Sequence, residues 1–141
     1  MLINYIRDSE KLKPITELLL KDGLYKNIRE RCNDHMHYNF YYYLLLNDNQ
    51  IIIKNRIKAT NRFEIDLISI FIQHFSYIFY LNNHYMMSSD YSDNIDLGIP
   101  PEEDSQYNVA PFIQNAFNKY VKVYRIDIAN EIKAKTFMKL L

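Results

Sequence analysis

The chain of 141 residues has no tryptophan, one cysteine, two glycines and four prolines. Each scarcity narrows the choices. A lone Cys32 forms no intrachain disulfide, and the opening residues Met1 to Asp8 lack a basic stretch followed by an apolar run and a small-residue cleavage site. Together these predict a reducing, cytoplasmic setting. With two glycines and four prolines, few tight turns and no glycine-rich phosphate loop are available, which disfavours many-stranded sandwiches. No uninterrupted apolar run reaches the roughly 20 residues of a membrane span. Lysine and arginine are also absent from one long stretch: none lies between Phe63 and Asn118.

What is present suits one globular unit. Hydrophobic residues are 48% and charged residues 24%, enough to bury a core, and a chain of this length hides about 70% of its unfolded surface. We therefore expect a single domain over residues 1–141. The expected fold is mainly α, a compact bundle of about five to seven helices.

Helix punctuation supports that fold. Asp8 or Ser9 is placed to cap a helix with Pro14 in its first turn, Ile15, Leu18 and Leu19 on one face and Gly23 just past its end. Leu24 to Arg31 reads as a second, shorter helix. Residues 61–81 carry a polar stripe, Arg62, Asp66, Ser69, Gln73 and Ser76, at spacings of four and three, with Phe63, Ile65, Leu67, Phe71, Phe75 and Ile78 on the other faces. The stripe argues for a core helix rather than a membrane span. Further on, Pro111 opens a helix with Val109, Phe112, Ile113, Ala116, Phe117, Tyr120 and Val121 on one side. Asp127 is the expected cap of a last helix from Ile128 to Leu141. The run Tyr38 to Leu46 followed by Ile51-Ile52-Ile53 fits a buried helix or a buried strand, so a small hairpin near 38–56, giving an α+β fold, stays open.

The 17 Lys and Arg balance the 17 Asp and Glu, but the balance is unevenly placed. Phe63 to Asn118 holds eight carboxylates and no Lys or Arg, leaving 17 cations against nine anions elsewhere. Six of the eight, Asp90, Asp93, Asp96, Glu102, Glu103 and Asp104, fall in residues 83–107. Ser, Asp, Pro and Gly make that segment read as a long acidic loop. Clustered carboxylates steer cationic partners and raise association rates by ~10–10³. Tyr91 and Tyr107 bracket the cluster as candidate anchors, since tyrosine buries a large area at small entropic cost. A cluster of this kind also serves mere solubility.

Other chemistry is weaker. Cys32, Asp34, His35 and His37 bring metal-binding side chains within six residues, and on a strand His35 and His37 would share one face. No second ligand pair follows at zinc spacing, so we assign no metal, and no cofactor. A metal- or Cys-dependent enzyme using Cys32, His35 and His37 is the enzymatic alternative. Asp90, Asp93 and Asp96 lack the glycine and terminal glutamate of a calcium loop in register. The 13 tyrosines and 8 phenylalanines would need a basic groove for base stacking, but the cations at Lys54, Arg56, Lys58 and Arg62, and at Lys119, Lys122, Lys133, Lys135 and Lys139, read as solvated faces of amphipathic helices, so nucleic acid is not an expected partner.

The segment Tyr107-Asn108-Val109-Ala110-Pro111-Phe112-Ile113-Gln114-Asn115-Ala116-Phe117-Asn118-Lys119-Tyr120-Val121-Lys122, continuing through Tyr124 to Ala129, resembles the closing helices of bacterial immunity proteins of contact-dependent inhibition and related polymorphic toxin systems. The resemblance implies a cytoplasmic, non-enzymatic antitoxin that binds one cognate toxin domain, for instance a nuclease. An acidic loop would then replace phosphate charge in a basic cleft. A host-directed viral helical protein is the alternative of the same composition.

Overall fold

A computed structural model describes residues 6, 8–37, 53–81 and 87–141. The protein is mainly α, and among the described residues β structure is confined to isolated bridges. The helices are α1 (Lys13–Leu20), α2 (Leu24–His37), α3 (Ile53–Leu81), α4 (Ser89–Asp96), α5 (Pro111–Ala116), α6 (Lys122–Tyr124) and α7 (Ile126–Lys135). A π-helical turn, Phe117–Val121, joins α5 to α6. Positions 53–56 of the open hairpin are helical; the rest of it, residues 38–52, lies outside the described residues.

By packing, the chain divides into two compact units, one of Leu19–Phe71 and one of Met1–Leu18 with Ile72–Leu141. In the first unit, Arg31 of α2 grips Asp66 of α3, Nε donating to Oδ2 at 3.0 Å and the terminal NH2 group to Oδ1 at 2.6 Å. Arg62 adds a longer ion pair to Oδ1 at 3.5 Å. The Tyr25 hydroxyl donates to the Ser69 carbonyl at 3.0 Å, so α2 and α3 are tied at two levels. A two-pronged arginine–carboxylate pair fixes geometry as well as charge.

Three residues of the polar stripe of α3 thus face inward, against expectation, while Arg62 stays exposed. Asp66, Ser69 and Ser76 are buried, while Phe63 is 63% exposed and Ile65, Leu67, Phe71 and Ile78 are exposed too. The physical reason is that the stripe's polar atoms are satisfied within the protein. Ser69 and Ser76 donate their hydroxyls to the carbonyls of Ile65 and Ile72, four residues back, at 2.8 and 2.6 Å. A serine bonded this way is a small residue with no unmet polar group.

The second unit holds an aromatic core. Phe75 stacks on Phe79 with ring centroids 5.4 Å apart and meets Phe117 at 6.3 Å. Ile128, Ala129 and Ile132 of α7 are buried with Leu12, Ile15 and Val121. The apolar side assigned to α5 is narrower than expected. Phe117 and Val121 are buried but Phe112 is 69% exposed. Five residues at about 100° each leave Phe112 about 140° around the axis from Phe117.

Four boundaries differ from expectation. α3 starts at Ile53 rather than near residue 61, so Asn61 lies inside the helix and does not cap it. α2 runs on to His37 rather than stopping at Arg31. Asp127 sits in the first turn of α7 instead of capping it. The helix stops at Lys135 rather than Leu141, because the tail is held by partners distant in sequence. The Lys139 amide donates to the Tyr107 carbonyl at 2.6 Å, and the Gln114 side chain both accepts from the Leu141 amide at 3.0 Å and donates to its carbonyl at 3.2 Å.

Arg125 links α7 to α1 by donating to the Leu18 carbonyl at 2.7 Å, and it also donates twice to Asp127. Its hydrogen bonds, and then its charge, hold the Asp127 carboxyl below the ordinary carboxylate range. A carboxyl so lowered adds stability above its unfolded pKa, about 3.9, and loses it as pH falls through its folded value. Asp127→Asn is therefore expected to lower the urea midpoint at pH 7 modestly, since the carboxylate is 42% exposed. The gap to the parent protein narrows as the pH falls below about 4. A gap that stays constant with pH would assign the loss to something other than the charge.

Candidate functional site

The expected long acidic loop is in part ordered helix. Met87 pairs antiparallel with Val109, and the Ser88 amide donates to the Asn108 carbonyl at 2.9 Å. Asn108 pairs on its other side with Lys139. Residues 88–108 thus form a closed excursion whose two ends are pinned at one neck. Excursions of this kind are frequently functional.

Within it, α4 starts after Ser88, which has extended backbone, and ends in a glycine-capped turn. The Gly98 amide donates to Ile95 and the Ile99 amide to Asn94, at 3.0 and 2.8 Å. Gly98 takes φ +67, the left-handed conformation this cap requires, and Pro100 and Pro101 prevent any continuation. An added Cβ at Gly98 would meet nothing within 4 Å, so only the backbone resists substitution. Gly98→Ala is expected to cost about 1 kcal/mol, read as a lowered thermal midpoint, with Gly98→Asn costing less. An unchanged midpoint for Gly98→Ala would show that the cap contributes nothing.

All six carboxylates of the excursion are exposed, Asp90, Asp93 and Asp96 along α4 and Glu102, Glu103 and Asp104 in the turns after it. Among the described residues none of the six is ion-paired. Asp90, in the first turn of α4, suits the helix dipole, but the placement of the others opposes the stability of the free protein in three ways. Asp93 and Asp96 are like charges three residues apart, the last turn of α4 holds no cation to offset Asp96, and Asp104 occupies φ +63 without being glycine. Repulsion and an anion at a helix C-terminus each cost a few tenths to about 1 kcal/mol, which a bound cationic surface would relieve.

Tyr91 and Tyr107 are half-buried. The Tyr107 ring lies against Phe137, centroids 6.3 Å apart, at the neck and not among the carboxylates. The residues that offer apolar surface beside the charges are Ile95, Leu97 and Ile99, with Leu97 72% exposed. Sequence reading missed these three. Their signal was alternation of isolated apolar residues inside an otherwise polar, helix-poor stretch, which matches no core-facing period.

No family model, curated protein or solved structure matches this chain. Function must therefore be argued from these residues. Cys32, Asp34, His35 and His37 lie on α2, not on a strand, and positions 35 and 37 are about 200° apart around a helix. Among the described residues no three His, Cys, Asp or Glu are grouped to hold a metal ion. Among them, too, no helix is long and apolar enough to cross a membrane.

Proposed function

We propose that this protein is a cytoplasmic immunity protein, a non-enzymatic antitoxin that binds and neutralises a cognate toxin domain with a basic cleft, such as a nuclease. The observation that carries the proposal is the pinned excursion with six exposed, unpaired carboxylates, set in a stretch without Lys or Arg from Phe63 to Asn118. Asp90, Asp93, Asp96, Glu102, Glu103 and Asp104 steer the basic surface and take the place of phosphate charge. Ile95, Leu97 and Ile99, with Tyr91 beside them, then exclude water at the contact. Tyr107 holds the neck through its carbonyl and its ring, so that the charges arrive on a fixed scaffold.

Charge and apolar surface play different parts here. Exposed carboxylates mainly raise the association rate, while desolvated apolar anchors slow dissociation. The resemblance of residues 107–129 to immunity proteins supports the same reading. Co-purification with the protein encoded beside this gene tests it. The expected result is a 1:1 complex that blocks the neighbour's toxicity; a neighbour that neither binds nor is neutralised would overturn it.

A further inference from the structure

The unit that carries the acidic excursion also contains a cleft of about 450 Å³. Its walls come from the start of α1 and the residues before it (Lys11, Pro14), the end of α3 (Phe79, Tyr80) and the end of α7 with the residues just past it (Lys135, Thr136, Phe137). That volume falls within the range of small-molecule sites, roughly 300–1,000 Å³. Three aromatic rings and a proline give the lining its apolar part.

The polar part is lopsided. Lys11 and Lys135 are exposed, and among the described residues neither has an ion-pair partner. Tyr80 is buried and gives its hydroxyl to Glu131 Oε1 at 3.0 Å, so the Glu131 carboxylate is already engaged as an acceptor. Burial, then that hydrogen bond, holds the phenol proton above its ordinary range, and Tyr80 stays neutral. Thus the exposed Phe137 and Pro14, with the buried Phe79 and Tyr80, supply the apolar part of the cleft, and the exposed cations Lys11 and Lys135 supply its charge.

We propose that this cleft binds a small amphipathic anion, an aromatic or branched body carrying one carboxylate or phosphate. The body lies mainly on Phe137 and Pro14, which offer the exposed apolar surface of the cleft, and the anionic head sits at Lys11. Lys11 is preferred to Lys135 for the head because it precedes the positive end of the α1 dipole, whereas Lys135 stands in the last turn of α7, where its charge already complements that helix's negative end. Phe137 is 82% exposed, an outlay that stacking on a ligand ring would offset.

Backbone amide NMR titration of the full chain tests this with benzoate, phenyl phosphate, inorganic phosphate and neutral benzyl alcohol as probes. Saturable shifts are expected at Lys11, Phe79, Tyr80 and Lys135 to Phe137 with benzoate or phenyl phosphate, and whichever binds more tightly identifies the head group. Benzyl alcohol and inorganic phosphate, each lacking one half of the recognition, should bind about tenfold more weakly. Lys11→Gln should weaken the anion about tenfold and Lys135→Gln less. The inference is overturned if neither aromatic anion gives saturable shifts at these amides up to about 10 mM, if benzyl alcohol binds equally well, or if the Lys11→Gln, Lys135→Gln double variant binds the anion unchanged.

Discussion

Replacing Asp90, Asp93, Asp96 and Asp104 by Asn, and Glu102 and Glu103 by Gln, is expected to slow association with the basic toxin domain by ~10–10³ at low salt. The substitutions keep side-chain size and remove six charges, and Asn is well tolerated at the φ +63 of residue 104. Because the relief of repulsion between Asp93 and Asp96 and of Asp96 against the helix dipole offsets the lost favourable charge of Asp90 in the first turn, the free variant should melt at close to the parent's temperature. That pairing of results matters. A binding loss accompanied by unfolding would be trivial, whereas a loss in a protein of equal or greater stability assigns the charges to the partner. At high salt the difference between variant and parent should shrink, since exposed charges are screened beyond about 8–10 Å.

Phe117→Ala is expected to cost about 3–5 kcal/mol, measured as a shift of the urea unfolding midpoint. Phe117 is fully buried, its ring meets Phe75 at 6.3 Å, and the Lys133 ammonium lies 5.8 Å from its centroid on the other element it touches. Truncation leaves a cavity the size of a phenyl ring between α3, the π-helical turn and α7, and removes the surface on which the Lys133 stem lies. Domains have about 5–15 kcal/mol in all, so this single change removes much of the total. Phe137→Ala supplies the contrast: at 82% exposure it should move the midpoint by less than about 0.5 kcal/mol. Similar losses for both would mean that Phe137 is packed and that its assignment to an open cleft is wrong.

The contrast between the two phenylalanines also shows how far local sequence carries. Pro14 and Gly23 mark the ends of α1 because proline and glycine constrain the backbone on their own, and Gly23 does take φ +63. Residues 61–81 are legible as helix for a similar reason, since the periodicity is local. Which side of α3 turns inward is not local. It depends on Arg31, 35 residues away, reaching Asp66, and on serines that satisfy themselves against their own helix. The tail repeats the lesson: Thr136 to Leu141 reads as helix until Tyr107 and Gln114, far back in the chain, bond the backbone of Lys139 and Leu141.

At the candidate site, charge was legible and shape was not. Six carboxylates in a stretch without Lys or Arg are countable in the chain. The helix carrying Asp90, Asp93 and Asp96 is not, because an eight-residue element of Ser, Asp, Asn and Tyr has poor intrinsic propensity and too few turns to stand alone. It persists because the neck between Ser88 and Asn108 closes it and Gly98 caps it. The same dependence hides Ile95, Leu97 and Ile99 from a periodicity reading, since no core face is there to set the period.

Hydrogen exchange of the chain alone and in complex with the protein encoded beside its gene tests the central claim most directly. The account predicts slowed exchange concentrated in residues 88–108, with the largest change from Asp90 to Ile99 and little change over α2. Protection confined to other elements, with 88–108 exchanging as fast in the complex as in the free chain, would contradict it.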